Sequence, residues 1–390
     1  MHLDVAMLLV WLALGALLAP ILSPRLGVPE PVLQIAYGIV LGLFAVVQPD
    51  TDASAALHLL AELGFILLMF GAGLEIDFDA VERGGASQVL RGLGVALGVI
   101  LISALLTGAL GLGSFYVVVL SATSVGLGVV VLRETGLAGA PVGQAVLLVG
   151  SLAEFGTLVL MTVFDVHHHV GLGLKMVLEL GKLVALVVAG VAFLRFLKAW
   201  TWWNPGLFRR VFREHDPSEL GVRAAVAACM VFVMLAVALH VESILGAFLA
   251  GAISRQVFRD VHILESKMSA LSAGFFIPIF FISVGLGFDV SLLSWQGLAS
   301  AAGLGTMLLV ARVLPSLALM TGVGLSLRES LGVALLLGAP LTLLVAIARL
   351  GQDLAILSAA EASSIVLLAI LLSVGFPIAF RKLLGGAGSA

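Results

Sequence analysis

Apolar runs of about 20 residues, divided by short polar breaks, recur along this 390-residue chain. Thirteen stretches read as helices able to cross a bilayer: about 3–22, 29–47, 57–75, 88–111, 114–134, 141–164, 173–197, 221–240, 242–258, 268–288, 297–322, 330–350 and 361–381. A hydrocarbon core about 30 Å thick needs helices of this length. Inside lipid each backbone N–H and C=O must be satisfied within the span, which leaves helices as the reading for such runs.

The basic residues test this segmentation. Sixteen of the twenty Lys and Arg fall in alternate loops and at the C-terminus, from Arg25 through Arg83, Arg91 and Arg133 to Arg381 and Lys382. The opposite side holds only Lys175 and Arg349, both at span edges, while Lys182 and Arg312 lie within spans. Basic residues collect on the cytoplasmic side. The expected topology therefore has its N-terminus outside and its C-terminus in the cytoplasm of a bacterial plasma membrane. The first span has no basic segment before it and reads as a retained helix, not a cleaved signal. The segment 198–220 reads as a cytoplasmic link with a short surface helix.

Composition narrows the function classes. Hydrophobic residues make up 61% of the chain and charged residues 11%, against about 25% charged in a soluble domain. The single cysteine, Cys229, excludes an intrachain disulfide and a cysteine metal cluster. No paired aspartates, Gly-x-Ser-x-Gly elbow or His-Glu-x-x-His run suggests a hydrolase. We expect neither an enzyme nor a resident cofactor, and no nucleic-acid partner.

Six spans precede the seventh and six follow it. With an offset of seven, equivalent spans run in opposite directions, as in the inverted repeats of transporters. Two equivalent spans are interrupted. The fifth contains Ser121-Ala122-Thr123-Ser124-Val125-Gly126-Leu127-Gly128, and the twelfth contains Leu337-Gly338-Ala339-Pro340-Leu341-Thr342. Such breaks expose carbonyls and opposed half-helix ends at mid-membrane depth.

Charges inside spans are the candidate chemistry. Glu154 lies in the middle of the sixth span, in Ser151-Leu152-Ala153-Glu154-Phe155-Gly156-Thr157. A charged group there costs about 2.5–3.5 kcal/mol or more, so it must be neutral, paired or facing a transported solute. Arg312, mid-way along the eleventh span, keeps its proton and needs a counter-charge, a cage of carbonyls or water. Both residues also admit a structural reading, as a buried hydrogen-bonded carboxyl and a fixed ion pair. Glu62, Glu242 and the Glu179–Lys182 pair are weaker candidates. Asp165-Val166-His167-His168-His169 reads as a solvated outside loop.

Four stretches carry a family resemblance: LGFILLMFGAGLEIDFDAV (63–81), SATSVGLGVVVLRETGLAGAPVGQ (121–144), ILGAFLAGAI (244–253) and FFIPIFFISVGLGFDVSLL (275–293). They resemble the monovalent cation:proton antiporter-2 family of Kef-type potassium and NapA-type sodium/proton antiporters, over nearly the whole chain. The resemblance implies an all-α NhaA/NapA-like antiporter fold with thirteen transmembrane helices and crossed broken helices 5 and 12. It also implies a homodimer, with a dimerisation half at about 1–80 and 221–290. The ion-binding core would be at about 84–165 and 296–382, and a linker helix with its cytoplasmic link at 173–220. It implies elevator-type alternating access. The nucleotide-binding domain of Kef-type members is not expected after the last span.

The family's Thr-Ser pair in broken helix 5 matches Thr123 and Ser124, and its basic residue in helix 11 looks like Arg312. Its paired polar positions in helix 6, usually ending in aspartate, are Ala153-Glu154 here. The carboxylate is kept, one methylene longer, and its neighbour is lost. The expected cation and proton site is therefore Glu154 with Thr123 and Ser124. Glu154 is the ligand of a monovalent cation only, and Arg312 compensates charge. The backbone at Val125, Gly126, Gly338, Pro340 and Thr342 shapes the breaks. One carboxylate exchanging one proton for one Na⁺ or K⁺ predicts electroneutral antiport. The alternatives are a sodium-coupled solute symporter in which Arg312 binds a substrate carboxylate, and a transport-inactive membrane sensor.

Overall fold

The computed structural model describes residues 3–44, 51–74, 85–171, 173–203, 219–239, 243–257, 261–288, 290 and 295–384. Among these, the regular structure is helical throughout. The chain divides into two compact units, Met1–Ile76 with Asp165–Leu286, and Asp77–Phe164 with Gly287–Ala390.

The first unit contains α1 (Leu3–Leu26), α2 (Glu30–Leu43), α3 (Asp52–Leu74), α8 (Leu174–Trp203), α9 (Leu220–Ala238) and α10 (Ser243–Val257). It ends with α11 (Val261–Leu271), one π turn at Ser272–Phe276, and α12 (Ile277–Leu286). Two glycine crossings hold it together. A Cβ on Gly38 of α2 would collide with the Ile282 carbonyl of α12, and one on Gly285 with the Ile35 carbonyl of α2. Likewise, a Cβ on Gly73 of α3 would strike the Phe248 carbonyl of α10, and one on Gly251 the Phe70 carbonyl of α3. Small residues let backbones touch, which drives helix association where lipid removes the hydrophobic incentive.

The second unit contains α4 (Gly85–Ala109), α5 (Phe115–Ser121), α6 (Gly126–Glu134), α7 (Pro141–Val170, through Phe164), α13 (Trp295–Met320), α14 (Leu327–Leu337), α15 (Leu341–Asp353) and α16 (Ala359–Leu384). Val125, Val146 and Val149 pack with Leu336, Leu337 and Phe380 in its buried core.

Ten described helical segments are long and apolar enough to cross a membrane, and the bent pair α14 and α15 makes eleven. Thirteen spans are expected from the sequence. The difference lies at α2 and α10, which have 14 and 15 residues. At 1.5 Å per residue they rise only about 21–23 Å, short of a hydrocarbon core of about 30 Å.

Two further expectations change. Helix α7 continues through the histidine run to Val170, so Asp165–His169 is helical and not an outside loop. Asp165 is buried, and its Oδ1 lies 3.1 Å from His169 Nδ1 one turn on. An i, i+4 pair of this kind keeps a polar sequence helical. Helix α8 runs through Trp200, Trp202 and Trp203, shortening the cytoplasmic link from its N-terminal side. The rest of that link (204–218), Glu242 and the Glu179 side chain lie outside what is described.

Candidate functional site

The fifth span stops being helical where its residues stop favouring helix. Helix α5 ends at Ser121; Ala122 is extended, with φ −54° and ψ 117°, and the helix resumes at Gly126. Ser and Thr side chains compete with the backbone for hydrogen bonds, which favours such interruptions. Here the Thr123 hydroxyl donates to the Ser121 carbonyl at 3.1 Å. The twelfth span breaks for another reason. Pro340 has no N–H to give and disfavours helical backbone at Ala339. Helices α14 and α15 meet there at a 42° bend.

Each break leaves orphan groups: amides at the start of one half and carbonyls at the end of the other. Two buried ionisable side chains meet them. Glu154 on α7 is 3% exposed. Its Oε1 accepts from the Ser124 hydroxyl at 3.0 Å, and its Oε2 accepts from the Val125 N–H at 3.1 Å. The carboxylate thus sits at the N-terminal end of α6, where the helix dipole is positive.

Arg312 on α13 is fully buried. Its Nη1 donates to the Leu120 carbonyl at 2.9 Å and to the Leu308 carbonyl at 2.7 Å. Its Nη2 donates to the Ala122 carbonyl. Its Nε donates to the Leu337 carbonyl at 3.2 Å. The guanidinium therefore joins the C-terminal end of α5 to the C-terminal end of α14, where both dipoles are negative. Of the acceptors left open by the sequence, the carbonyl cage is the one found.

Thr123 and Ser124 are buried, at 1% and 5% exposure, and flank Val125 beside the carboxylate. Gly126 opens α6. Gly338 closes α14, and its N–H donates to the Leu335 carbonyl at 3.1 Å. A Cβ at Gly338 would meet the Phe376 ring. The Pro340 carbonyl accepts from the Leu344 N–H at 2.9 Å, which starts α15. Thr342 is half-buried in the first turn of α15, with no side-chain hydrogen bond among the described residues. Glu154, Ser124 and Val125 are thus joined directly, and Arg312 reaches both breaks. Glu62 is exposed on α3, in the first unit. Among the described residues, no group of three or more His, Cys, Asp or Glu is placed to hold a metal ion.

The sequence reading missed Thr157 and the Ser121 carbonyl. Thr157 is 1% exposed, and its hydroxyl lies 3.0 Å from the Ser121 carbonyl and 2.8 Å from the Ala153 carbonyl. Its spacing was the available signal. Residues three apart share a helix face, and Thr157 follows Glu154 by three.

Residues 13–384 match the model of the sodium/hydrogen exchanger, transmembrane family. The protein YjbQ of Bacillus subtilis is 31% identical over 98% of this chain, which spans 63% of YjbQ. The Na⁺/H⁺-K⁺ antiporter GerN of Bacillus cereus is 31% identical over 70% of this chain and 69% of its own. The Na⁺/H⁺ antiporter of Enterococcus hirae is 30% identical over 70% of this chain and 71% of its own. In fold, the chain is similar to the sodium proton antiporter MjNhaP1 from Methanocaldococcus jannaschii, with a TM-score of 0.71 over 99% of this chain and 98% of that one, at 14% identity. The chain thus belongs to the transmembrane sodium/hydrogen exchanger family, and is by family an integral multi-pass membrane cation/proton antiporter and not an enzyme.

Proposed function

We propose that this chain exchanges one Na⁺ or K⁺ for one proton through Glu154. The observation that carries the reading is the bonding of Glu154. It is a buried carboxylate whose two oxygens face a hydroxyl and an amide of the polar break, and carboxylate oxygens can hold a cation or the proton that replaces it. The ligand set at the break is all oxygen, which suits a hard monovalent cation. Arg312 is spent on carbonyls of two helix ends and supplies fixed positive charge. One titrating carboxylate then gives electroneutral exchange.

Several features support the finer architecture. The second unit holds the whole constellation, and its bounds lie close to those expected for the ion-binding core. Elevator-type alternating access would move that unit with its site, and the first unit would form the homodimer contact. Counting α2 and α10 as short spans gives thirteen. The two glycine crossings then join the second span to the tenth and the third to the ninth. A seven-span offset interchanges those pairs, as an inverted repeat requires.

The symporter reading asks Arg312 to bind a substrate carboxylate. Four of its five N–H groups already end on carbonyls, which argues against it.

The test is proton flux in sealed proteoliposomes on adding Na⁺ or K⁺, at several imposed voltages. Flux is expected for the wild type, unchanged by voltage and lost in Glu154→Gln. Flux that survives the substitution would assign the exchange to another carboxylate. Flux that follows voltage would overturn the one-for-one stoichiometry.

A further inference from the structure

Three successive carbonyls at the end of α5 have different fates. Those of Leu120 and Ala122 accept from Arg312, whose guanidinium has no lone pair to offer and does not leave. The carbonyl between them, Ser121, accepts from two hydroxyls, Thr123 at 3.1 Å and Thr157 at 3.0 Å. A hydroxyl differs from a guanidinium in one respect that matters here. It donates one proton, and its oxygen can also act as a ligand.

Thr157 has one proton and two acceptors within reach, the Ser121 carbonyl and the Ala153 carbonyl of its own helix at 2.8 Å. The bond to Ala153 is the ordinary back-bond of a helical threonine and suffices to satisfy the donor. Placing the proton there leaves the Thr157 oxygen and one Ser121 lone pair turned toward each other with no proton between them. Two oxygens so arranged attract a cation. Glu154 lies three residues before Thr157 on the same face of α7, and it bonds to the same break at Ser124 and Val125.

We propose that Thr157 is a specificity-determining ligand of the transported cation: its hydroxyl, with the Ser121 carbonyl and the Thr123 hydroxyl, forms the neutral half of an oxygen shell whose charged half is Glu154 with Ser124. The inference rests on the antiport reading for the identity of the cation. A neutral half of fixed size ranks cations by radius, whereas the carboxylate supplies the charge that all of them need. Thr157 therefore governs which monovalent cation is taken, and Glu154 governs whether any is.

Thr157→Val keeps the shape and removes the hydroxyl, and Thr157→Ser keeps the hydroxyl. Two measurements are made on the full-length protein. The first is the shift in melting temperature of the detergent-solubilised protein with added Na⁺, K⁺ or Li⁺. The second is the KM and kcat of cation-driven proton flux in proteoliposomes. In Thr157→Val, the KM for the preferred cation is expected to rise about tenfold or more, as for loss of one ligand to a charge. The preference among the three cations should narrow, kcat should change little, and Thr157→Ser should recover both KM and preference. A Thr157→Val protein with unaltered KM and unaltered cation order, whatever its kcat, overturns the proposal and leaves Thr157 a structural strut. Cation-dependent stabilisation that Thr157→Val abolishes, in a wild type without flux, upholds the ligand and removes the antiport reading. A wild type stabilised by no monovalent cation and showing no flux overturns both.

Discussion

The second unit contains two broken helices built from opposite materials. The first break, between α5 and α6, carries Ser121, Thr123 and Ser124, and it engages a carboxylate. The second, between α14 and α15, is Leu337-Gly338-Ala339-Pro340-Leu341, with hardly a polar side-chain atom. The first breaks because its side chains compete with the backbone. The second breaks because proline withholds a donor. They share only what any interrupted helix has: carbonyls at one end and amides at the other. Arg312 uses the carbonyls of both. Geometry is therefore duplicated between the halves of the sequence, and chemistry is not. On the proposed function, the polar break would be the site, and the apolar break the frame that holds Arg312.

If Arg312 fixes both breaks, replacing it should do the largest damage to the fold. Arg312→Met leaves four buried carbonyls without these donors, each costing about 1–3 kcal/mol when it finds no other. We expect a loss of about 3 kcal/mol or more in stability, seen as a large fall in melting temperature in detergent, together with loss of exchange. Arg312→Lys keeps the charge on a single nitrogen with three donors. It can serve one break but not the fork across two, so its melting temperature should fall between wild type and Arg312→Met. A Lys variant as stable as the wild type would show that charge alone, and not the fork, joins the breaks.

The comparison also explains what could be read from the sequence. Glu154, Thr123 and Ser124 stood out because a polar side chain in an apolar run is conspicuous. Pro340 and Gly338 stood out as punctuation. The cage around Arg312 was invisible in identity, because its members are Leu120, Ala122, Leu308 and Leu337 acting through backbone oxygens. Any residue supplies a carbonyl, so no letter marks it. Thr157 hid for a different reason: threonine is common in membrane helices, and its back-bond to Ala153 gives it an ordinary explanation. The histidine run misled in the other direction. Polarity suggested a loop, but a helix end beyond the apolar run tolerates polar residues, and Asp165 pairs with His169 along it.

A smaller effect is expected at the polar break when only one of its donors is removed. Ser124→Ala takes the hydroxyl from Glu154 Oε1 and leaves the Val125 N–H on Oε2. A hydrogen bond to a charged group contributes about 1.5–3 kcal/mol. Because Ser124 is also proposed to face the cation, the apparent affinity should fall about tenfold or somewhat more. Stability should change less than in Arg312→Met. The measurement is cation-dependent proton flux over a concentration series, read as KM. An unchanged KM would remove Ser124 from the cation's oxygen shell and leave Glu154 and the remaining oxygens of the break as its ligands.

The smallest effect belongs to the apolar break. Pro340→Ala returns a backbone donor and removes a residue that costs about 3 kcal/mol inside a helix. Taken alone, that change favours closing α14 and α15 into one continuous helix. Two features oppose closure. The Leu337 carbonyl is already held by Arg312 Nε, and the Gly338 position packs directly against the Phe376 ring. A continuous helix would claim the Leu337 carbonyl for the amide of residue 341 and take it from the guanidinium. The break should therefore persist, and exchange in vesicles should stay within about threefold of wild type, the kinetic equivalent of roughly 0.6 kcal/mol. Loss of exchange in Pro340→Ala at an unchanged melting temperature would show that the second break takes part in transport and does more than support the arginine. The contrast between a chemical break and a structural one would then fail at its weaker side, with Glu154 and Ser124 untouched.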